Sequence, residues 1–180
     1  MDTTTTGPHT LVHMPRLGED GQQVDTRDCF WYEYHGMPEE LALYKFIHEE
    51  DAESGEQYAR TVFERFNVST GRYEQAGHIE WVPGHSTVTF GIHDPVSMRE
   101  LRKAKKKEST SRYWSWKNHN YKWKKDEAEN LTCYQVPLIG ANKLLATYTK
   151  TTRTLVVEAR GEEVIDQIVV LCFIHKVCVS

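Results

Sequence analysis

Apolar and polar positions alternate with a period of two along most of this chain, and only its last segment abandons that rhythm. Ser86 to Ile92 is the clearest case: Val88, Phe90 and Ile92 are expected to face inward, Thr87 and Thr89 outward. Cys29 to Tyr34 is aromatic and β-prone, and Leu41 to His48 alternates with Leu41, Leu43 and Lys45 on one side. Tyr58 to Val68 and Arg72 to Val82 flank Ser69-Thr70-Gly71, a hairpin signal, and Pro83-Gly84 marks the next turn. Arg112 to Trp116 and Tyr121 to Lys125 form a second tight pair around Lys117-Asn118-His119-Asn120. Leu131 to Val136, Lys143 to Thr149 and Arg153 to Glu158 bring the expected total to about ten strands, the spacing of an all-β sandwich or barrel. Leu11 to Leu17, ended by Pro15, is expected as a short edge strand, and the acidic stretch Glu49 to Glu56 as a hairpin loop.

Two segments depart from alternation. Asp94-Pro95 predicts the start of a surface helix, because Asp94 can cap free N–H groups and Pro95 loses no hydrogen bond at the first helical position. Met98, Leu101 and Ala104 or Lys105 would form its apolar stripe, and Arg102 to Lys107 would put positive charge at its C-terminal end. The second is the tail, Glu162 to Ser180, with seven consecutive apolar residues from Ile168 to Ile174. Wound as a helix it is apolar all round, which suits only a core or a membrane. Spanning a bilayer takes about 20 mostly apolar residues, and Asp166, Gln167, His175 and Lys176 interrupt the run. A sheet wrapped around one buried terminal element is the expected picture. The β-branched content of Val164 to Ile174 would equally suit a buried strand.

The 180 residues fit one domain, with a flexible lead-in over residues 1–26 and the domain proper over 27–180. Hydrophobic content of 39% and charged content of 27% are globular values. The net charge of −4 hides a segregation: Arg99 to Lys125 holds eleven Lys or Arg against Glu100 and Glu108, a balance of +9 that leaves −13 on the rest. The opening MDTTTTGPHT has no apolar core of a secretory signal, and the four cysteines form no C-x-x-C pair. Free thiols fit a reducing compartment, so a cytoplasmic location is expected.

The basic segment and the aromatic hairpin are the candidate site. Arg102, Lys103, Lys105, Lys106 and Lys107, with Lys122, Lys124 and Lys125, could meet anionic phosphates, while Trp114, Trp116, Tyr121 and Trp123 could stack on bases or lie at a lipid interface. A plainer reading stands beside this one: alternation puts the tryptophans on one face and Lys122 and Lys124 on the other, as a barrel wall requires. The acidic net charge argues against nucleic acid as the partner. The nine histidines show no H-x-x-x-H or H-E-x-x-H spacing, so no metal site, catalytic residue or cofactor is assigned. Asp166 is expected to cap the tail helix or pair with a lysine. Chemistry at a pocket near His78 and Glu80 is the alternative reading.

Arg112-Tyr-Trp-Ser-Trp116, Tyr121-Lys-Trp-Lys124, Leu131-Thr-Cys133 and Val164-Ile-Asp-Gln-Ile-Val169 together resemble DUF6593, an uncharacterised family of basidiomycete fungal proteins. The likeness runs from about Ile79 to the C-terminus. The layout is also similar to the C-terminal domain of tubby-like and LURP-one proteins, an antiparallel barrel of about ten to twelve strands around a hydrophobic helix. This resemblance favours a helix for Val164 to Val179, about 24 Å long at 1.5 Å per residue. It implies a fungal, cytoplasmic binding or scaffold domain without catalytic activity, with an anionic phospholipid headgroup or a protein as partner and no transmembrane segment. Oligomeric state is left open.

Overall fold

Ile165–Val177 forms the terminal helix, α2, entered through a 3₁₀ turn over Ala159–Val164. Ile168 to Ile174 are each no more than 1% exposed, so this helix has no solvent face and needs apolar partners on every side. The computed structural model describes residues 8–23, 25–33, 41–50 and 59–177, and within them the strands supply those partners. They are β1 (His9–Pro15), β2 (Cys29–Glu33), β3 (Tyr44–Glu50), β4 (Ala59–Asn67), β5 (Arg72–Trp81), β6 (Thr87–Phe90) and β7 (Val96–Ser97). A one-turn helix, α1 (Met98–Leu101), separates these from β8 (Ser111–Trp116), β9 (His119–Lys125), β10 (Leu131–Val136), β11 (Lys143–Thr149) and β12 (Thr154–Val157).

The twelve strands make one antiparallel sheet in the order β7-β6-β5-β4-β3-β2-β1-β12-β11-β10-β9-β8. Two meanders, β1 to β7 and β8 to β12, are joined where β1 pairs with β12 from His9↔Val157 to Val12↔Thr154. Helix α2 touches both. Phe173 packs on Phe46 of β3 with 4.4 Å between ring centroids, and His175 meets Trp123 of β9 at 6.0 Å. The ladder itself does not close into a barrel. Its edges, β7 and β8, are separated by α1, and beyond α1 Lys103 exchanges two backbone hydrogen bonds with Tyr113 of β8, at 2.7 and 3.0 Å.

Several expectations change against this structure, each for a local reason. The strand expected at an edge, β1, lies mid-sheet with Leu11 fully buried, and it starts at His9. Pro15 is tolerated because it is the last residue of the strand. In β3 the inward residues are Tyr44 and Phe46, while Lys45 lies 3.6 Å over the Tyr73 ring. Leu43 is buried too, but it precedes the strand and bonds through its backbone to Trp31 and Phe66, which shifts the alternation by one. Ile92 is fully exposed, because Gly91 turns the chain at φ +54° immediately after Phe90. Asp94-Pro95 starts no helix: Val96 and Ser97 pair with Val88 and Thr87, and Ser97 caps α1 instead. Arg102 to Lys107 therefore lie beyond a one-turn helix rather than along its last turn. The hairpin at residues 117–120 is tighter than expected, with only Lys117 and Asn118 in the turn, both at positive φ. Glu49 and Glu50 of the expected acidic loop belong to β3, and the first seven residues, the rest of that loop over 51–56 and the end of the expected tail helix past Val177 lie outside the described residues.

Gly77 marks a tight point in the wall at φ +154°, opposite Phe63 and next to Ala76, which the register skips in a bulge of β5. A Cβ there would stand 2.0 Å from the Thr89 carbonyl oxygen and 2.4 Å from the Phe63 ring. Gly77→Ala should destabilise by about 1–3 kcal/mol through overpacking, and Phe173→Ala by about 3–5 kcal/mol through the cavity it leaves. Urea denaturation checks both. A Phe173→Ala protein as stable as wild type would mean that α2 is not the core.

Candidate anion-binding site

The inward rows of the aromatic hairpin run on past their tryptophans. Arg112 shares the alternation of Trp114 and Trp116 on β8, and Lys125 shares that of Tyr121 and Trp123 on β9. Trp114, Tyr121 and Trp123 are buried, and Trp114 stacks on Tyr121 at 4.2 Å. At the end of each row a cation takes the inward position. There, around the C-terminal end of α2, a cavity of about 540 Å³ opens between the strands and the helix.

Five cationic side chains line it: Arg102, Arg112, Lys125, Lys150 from the turn before β12, and Lys176 from α2. Its one carboxylate among the described residues, Glu129, is shared by Lys125 at 2.8 Å and by Lys150, and those two lysines hold its carboxyl down at about 2. Arg112 is fixed in place by donating from Nη1 to the Ser109 carbonyl at 2.5 Å and the Ser111 carbonyl at 3.3 Å. The hydroxyls of Ser109 and Thr110 add donors to the wall. Two buried nitrogens at the cavity, Trp123 Nε1 and His175 Nε2, have no hydrogen-bond partner among the described residues. Burial, and after it the charges of Arg102, Arg112 and Lys125, push the His175 imidazole down to about 3. The histidine is therefore neutral and supplies no positive charge.

The structure divides the residues singled out from the sequence. Arg102 enters the cavity. Lys103 pairs with Glu100, Lys105 sits 4.3 Å over the Tyr113 ring, and both line a separate cavity of about 400 Å³ beside Trp114 and Tyr121. Lys106 and Lys107 are exposed, in the segment between Arg102 and Ser109. Lys122 stands over Tyr134 at 5.4 Å and Lys124 is exposed, both on the outer face of β9. Trp114, Tyr121 and Trp123 are buried as the wall reading expects, and Lys103 and Lys122 both pair with Tyr113, outside the cavity that Arg102 enters. The sequence reading named Lys125, which lines the cavity, but missed Arg112, which the alternation already placed beside the tryptophans. It also missed Lys150 and Lys176, which only the fold brings in.

The other end of α2 is polar in a different way. His9 Nδ1 lies 2.6 Å from Glu33, its Nε2 meets Glu162, and Arg65 reaches Glu162 at 3.7 Å and Asp166 at 3.3 Å. The Tyr44 hydroxyl donates to Asp166. Asp166 thus pairs with an arginine and a tyrosine, not with the expected lysine. His78 and Glu80 stand 3.6 Å apart on β5 and line neither cavity. Among the described residues no group of three His, Cys, Asp or Glu side chains could hold a metal ion, and no helix is long and apolar enough to cross a membrane.

His13, half-buried against Trp31 at 5.0 Å, is also pushed down to about 3, by burial first and then by Lys176 and Arg153. Below about pH 6.5 the unfolded chain protonates both His13 and His175 while the folded chain does not. The unfolded state then binds more protons, so stability should fall as pH drops from about 6.5 towards 3, by up to about 1.4 kcal/mol per unit for each histidine. Urea denaturation at about pH 7 and about pH 5 measures this slope. It should flatten in a His13→Gln, His175→Gln protein, and equal slopes in the two proteins would contradict the assignment.

Residues 37–175 match the model of DUF6593, described as a family of unknown function. No curated protein and no solved structure matches the chain.

Proposed function

Since the chain belongs to the DUF6593 family, whose function is unknown, we propose its role from the site itself: it is a binding domain that takes an anionic phospholipid headgroup into the cavity at the C-terminal end of α2. The supporting observation is the lining of that cavity, where among the described residues five cationic side chains stand around one carboxylate, Glu129, which Lys125 and Lys150 share. Planar guanidinium groups and ammonium groups in a partly desolvated cavity suit phosphate oxygens. The loop from Arg102 to Ser109 contributes to the cavity at both ends and carries exposed Lys106 and Lys107 between them. Those lysines would lie against a negatively charged membrane surface, where each is worth about 1 kcal/mol.

A tubby-like arrangement, a fungal source and a cytoplasmic location belong to the same proposal. Twelve antiparallel strands around a buried terminal helix support the first. Cys29, Cys133 and Cys172 as free, buried thiols support the last. The alternative, chemistry at His78 and Glu80, has less behind it, since burial lowers the affinity of His78 for a proton and the pair lines neither the cavity at the end of α2 nor the one beside Trp114.

Sedimentation with vesicles tests the reading. Wild type should sediment with phosphatidylserine-containing vesicles and not with pure phosphatidylcholine, and the binding should weaken with salt over a Debye length of about 8 Å. Arg112→Gln with Lys125→Gln should cut the binding about tenfold or more, from two contacts of about 1 kcal/mol each. Lys122→Gln with Lys124→Gln, on the outer face, should change it little. Equal loss in both pairs, or no preference for anionic vesicles, would overturn the cavity as the site.

A further inference from the structure

Among the five cations of the cavity, Lys176 is the odd one. It belongs to the buried helix, is mostly buried itself, and its Nζ lies 5.2 Å from the Trp31 ring and 5.0 Å from the Tyr148 ring. No carboxylate among the described residues pairs with it, unlike Lys125 and Lys150, which share Glu129. The groups packed around it from each element carry no negative charge. Cys29 on β2 and Cys172 on α2 are thiols that burial pushes up to about 12, burial likewise raises the Tyr148 phenol on β11, and His13 on β1 is neutral. Arg153, in the turn before β12, adds a like charge. The two ring faces attract an ammonium, but burial with no carboxylate partner among the described residues, and the like charge of Arg153, favour the neutral amine more than at an exposed lysine.

We propose that Lys176 is a nucleophilic amine that forms a reversible imine with a small phosphorylated aldehyde, whose phosphate is held by Arg102, Arg112 and Lys125 across the same cavity. The inference rests on the anion-binding reading of that cavity and adds covalent chemistry to it. In the step, the Nζ lone pair adds to the carbonyl carbon, the carbonyl π electrons move to oxygen, and the oxygen takes up a proton. The carbinolamine then loses that oxygen as water while nitrogen gives up a proton, so amine and aldehyde become imine and water with no change of oxidation state. Burial foremost lowers the Lys176 amine to about 8. About a fifth of it is then neutral near pH 7.4, against about a thousandth of an ordinary lysine. A cavity of about 540 Å³ admits a ligand of this size while leaving the amine reachable.

Pyridoxal 5′-phosphate is the probe, with the full chain. Wild type incubated with it and then reduced with borohydride should carry one label, and peptide mass mapping should place that label on Lys176 ahead of exposed Lys106 and Lys107. Inorganic phosphate should compete, and pyridoxal lacking the phosphate should label Lys176 about tenfold more slowly, the loss of about 1.4 kcal/mol of anion binding. Lys176→Arg keeps the cation but cannot form the imine, so it should retain inorganic phosphate binding, read by tryptophan fluorescence, and lose the label. Labelling spread evenly over surface lysines, or undiminished in Lys176→Arg, would overturn the proposal. If phosphate binds and Lys176 stays unlabelled, the imine fails while the binding reading stands. If phosphate neither binds nor competes, the anion site and the imine fail together.

Discussion

A helix without a polar face governs the rest of this molecule. From Ile168 to Ile174 every side chain is withdrawn from water, and no single sheet face or neighbouring helix can cover all sides of such an element. The sheet has to pass around it. Twelve strands do so as two meanders, and the pairing of β1 with β12 brings the start of the chain against its end. Each strand then needs an inward row of large apolar residues, which is why Trp31, Phe46, Phe63, Trp114 and Trp123 are all buried.

The same constraint creates the two polar ends. A helix enclosed by strands leaves its termini where the inward rows meet solvent, and polar residues there face one another across the sheet. At the N-terminal end the carboxylates of Glu33, Glu162 and Asp166 are shared among His9, Arg65 and the Tyr44 hydroxyl. At the C-terminal end cations predominate. Carbonyl groups at a helix C-terminus favour nearby cations, yet five around one carboxylate exceed what that requires. An anion from outside would complete the arrangement.

Much of the fold was legible because strand alternation is a local property. β10 and β11 run from Leu131 to Val136 and from Lys143 to Thr149, as their patterns predict, and the Ser69-Thr70-Gly71 turn closes as expected. The failures come where tertiary pairing overrides a local signal. Asp94-Pro95 carries a helix-start signature, but the ladder with β6 claims Val96 and Ser97. Leu11 to Pro15 is short and ends in proline, yet its place is fixed by β12, which lies far along the chain. The site was half legible. A run of lysines pointed to Arg102 and its neighbours, but charge density along a chain does not say which side of a strand faces in. Lys125 was among the lysines singled out, and Arg112 could be found by extending the row of Trp114. Lys150 and Lys176 could not, because only the assembled sheet sets the turn before β12 beside the end of α2.

Chemical-shift mapping of inorganic phosphate binding by NMR tests the central claim most directly, that an anion belongs at the end of the buried helix. Amide and side-chain signals of Arg112, Lys125, His175 and Lys176, together with the indole N–H of Trp123, should shift together and saturate with one dissociation constant, while Lys122 and Lys124 on the outer face stay still. Shifts confined to the outer lysines and to exposed Lys106 and Lys107, with the Trp123 indole unmoved, would contradict it.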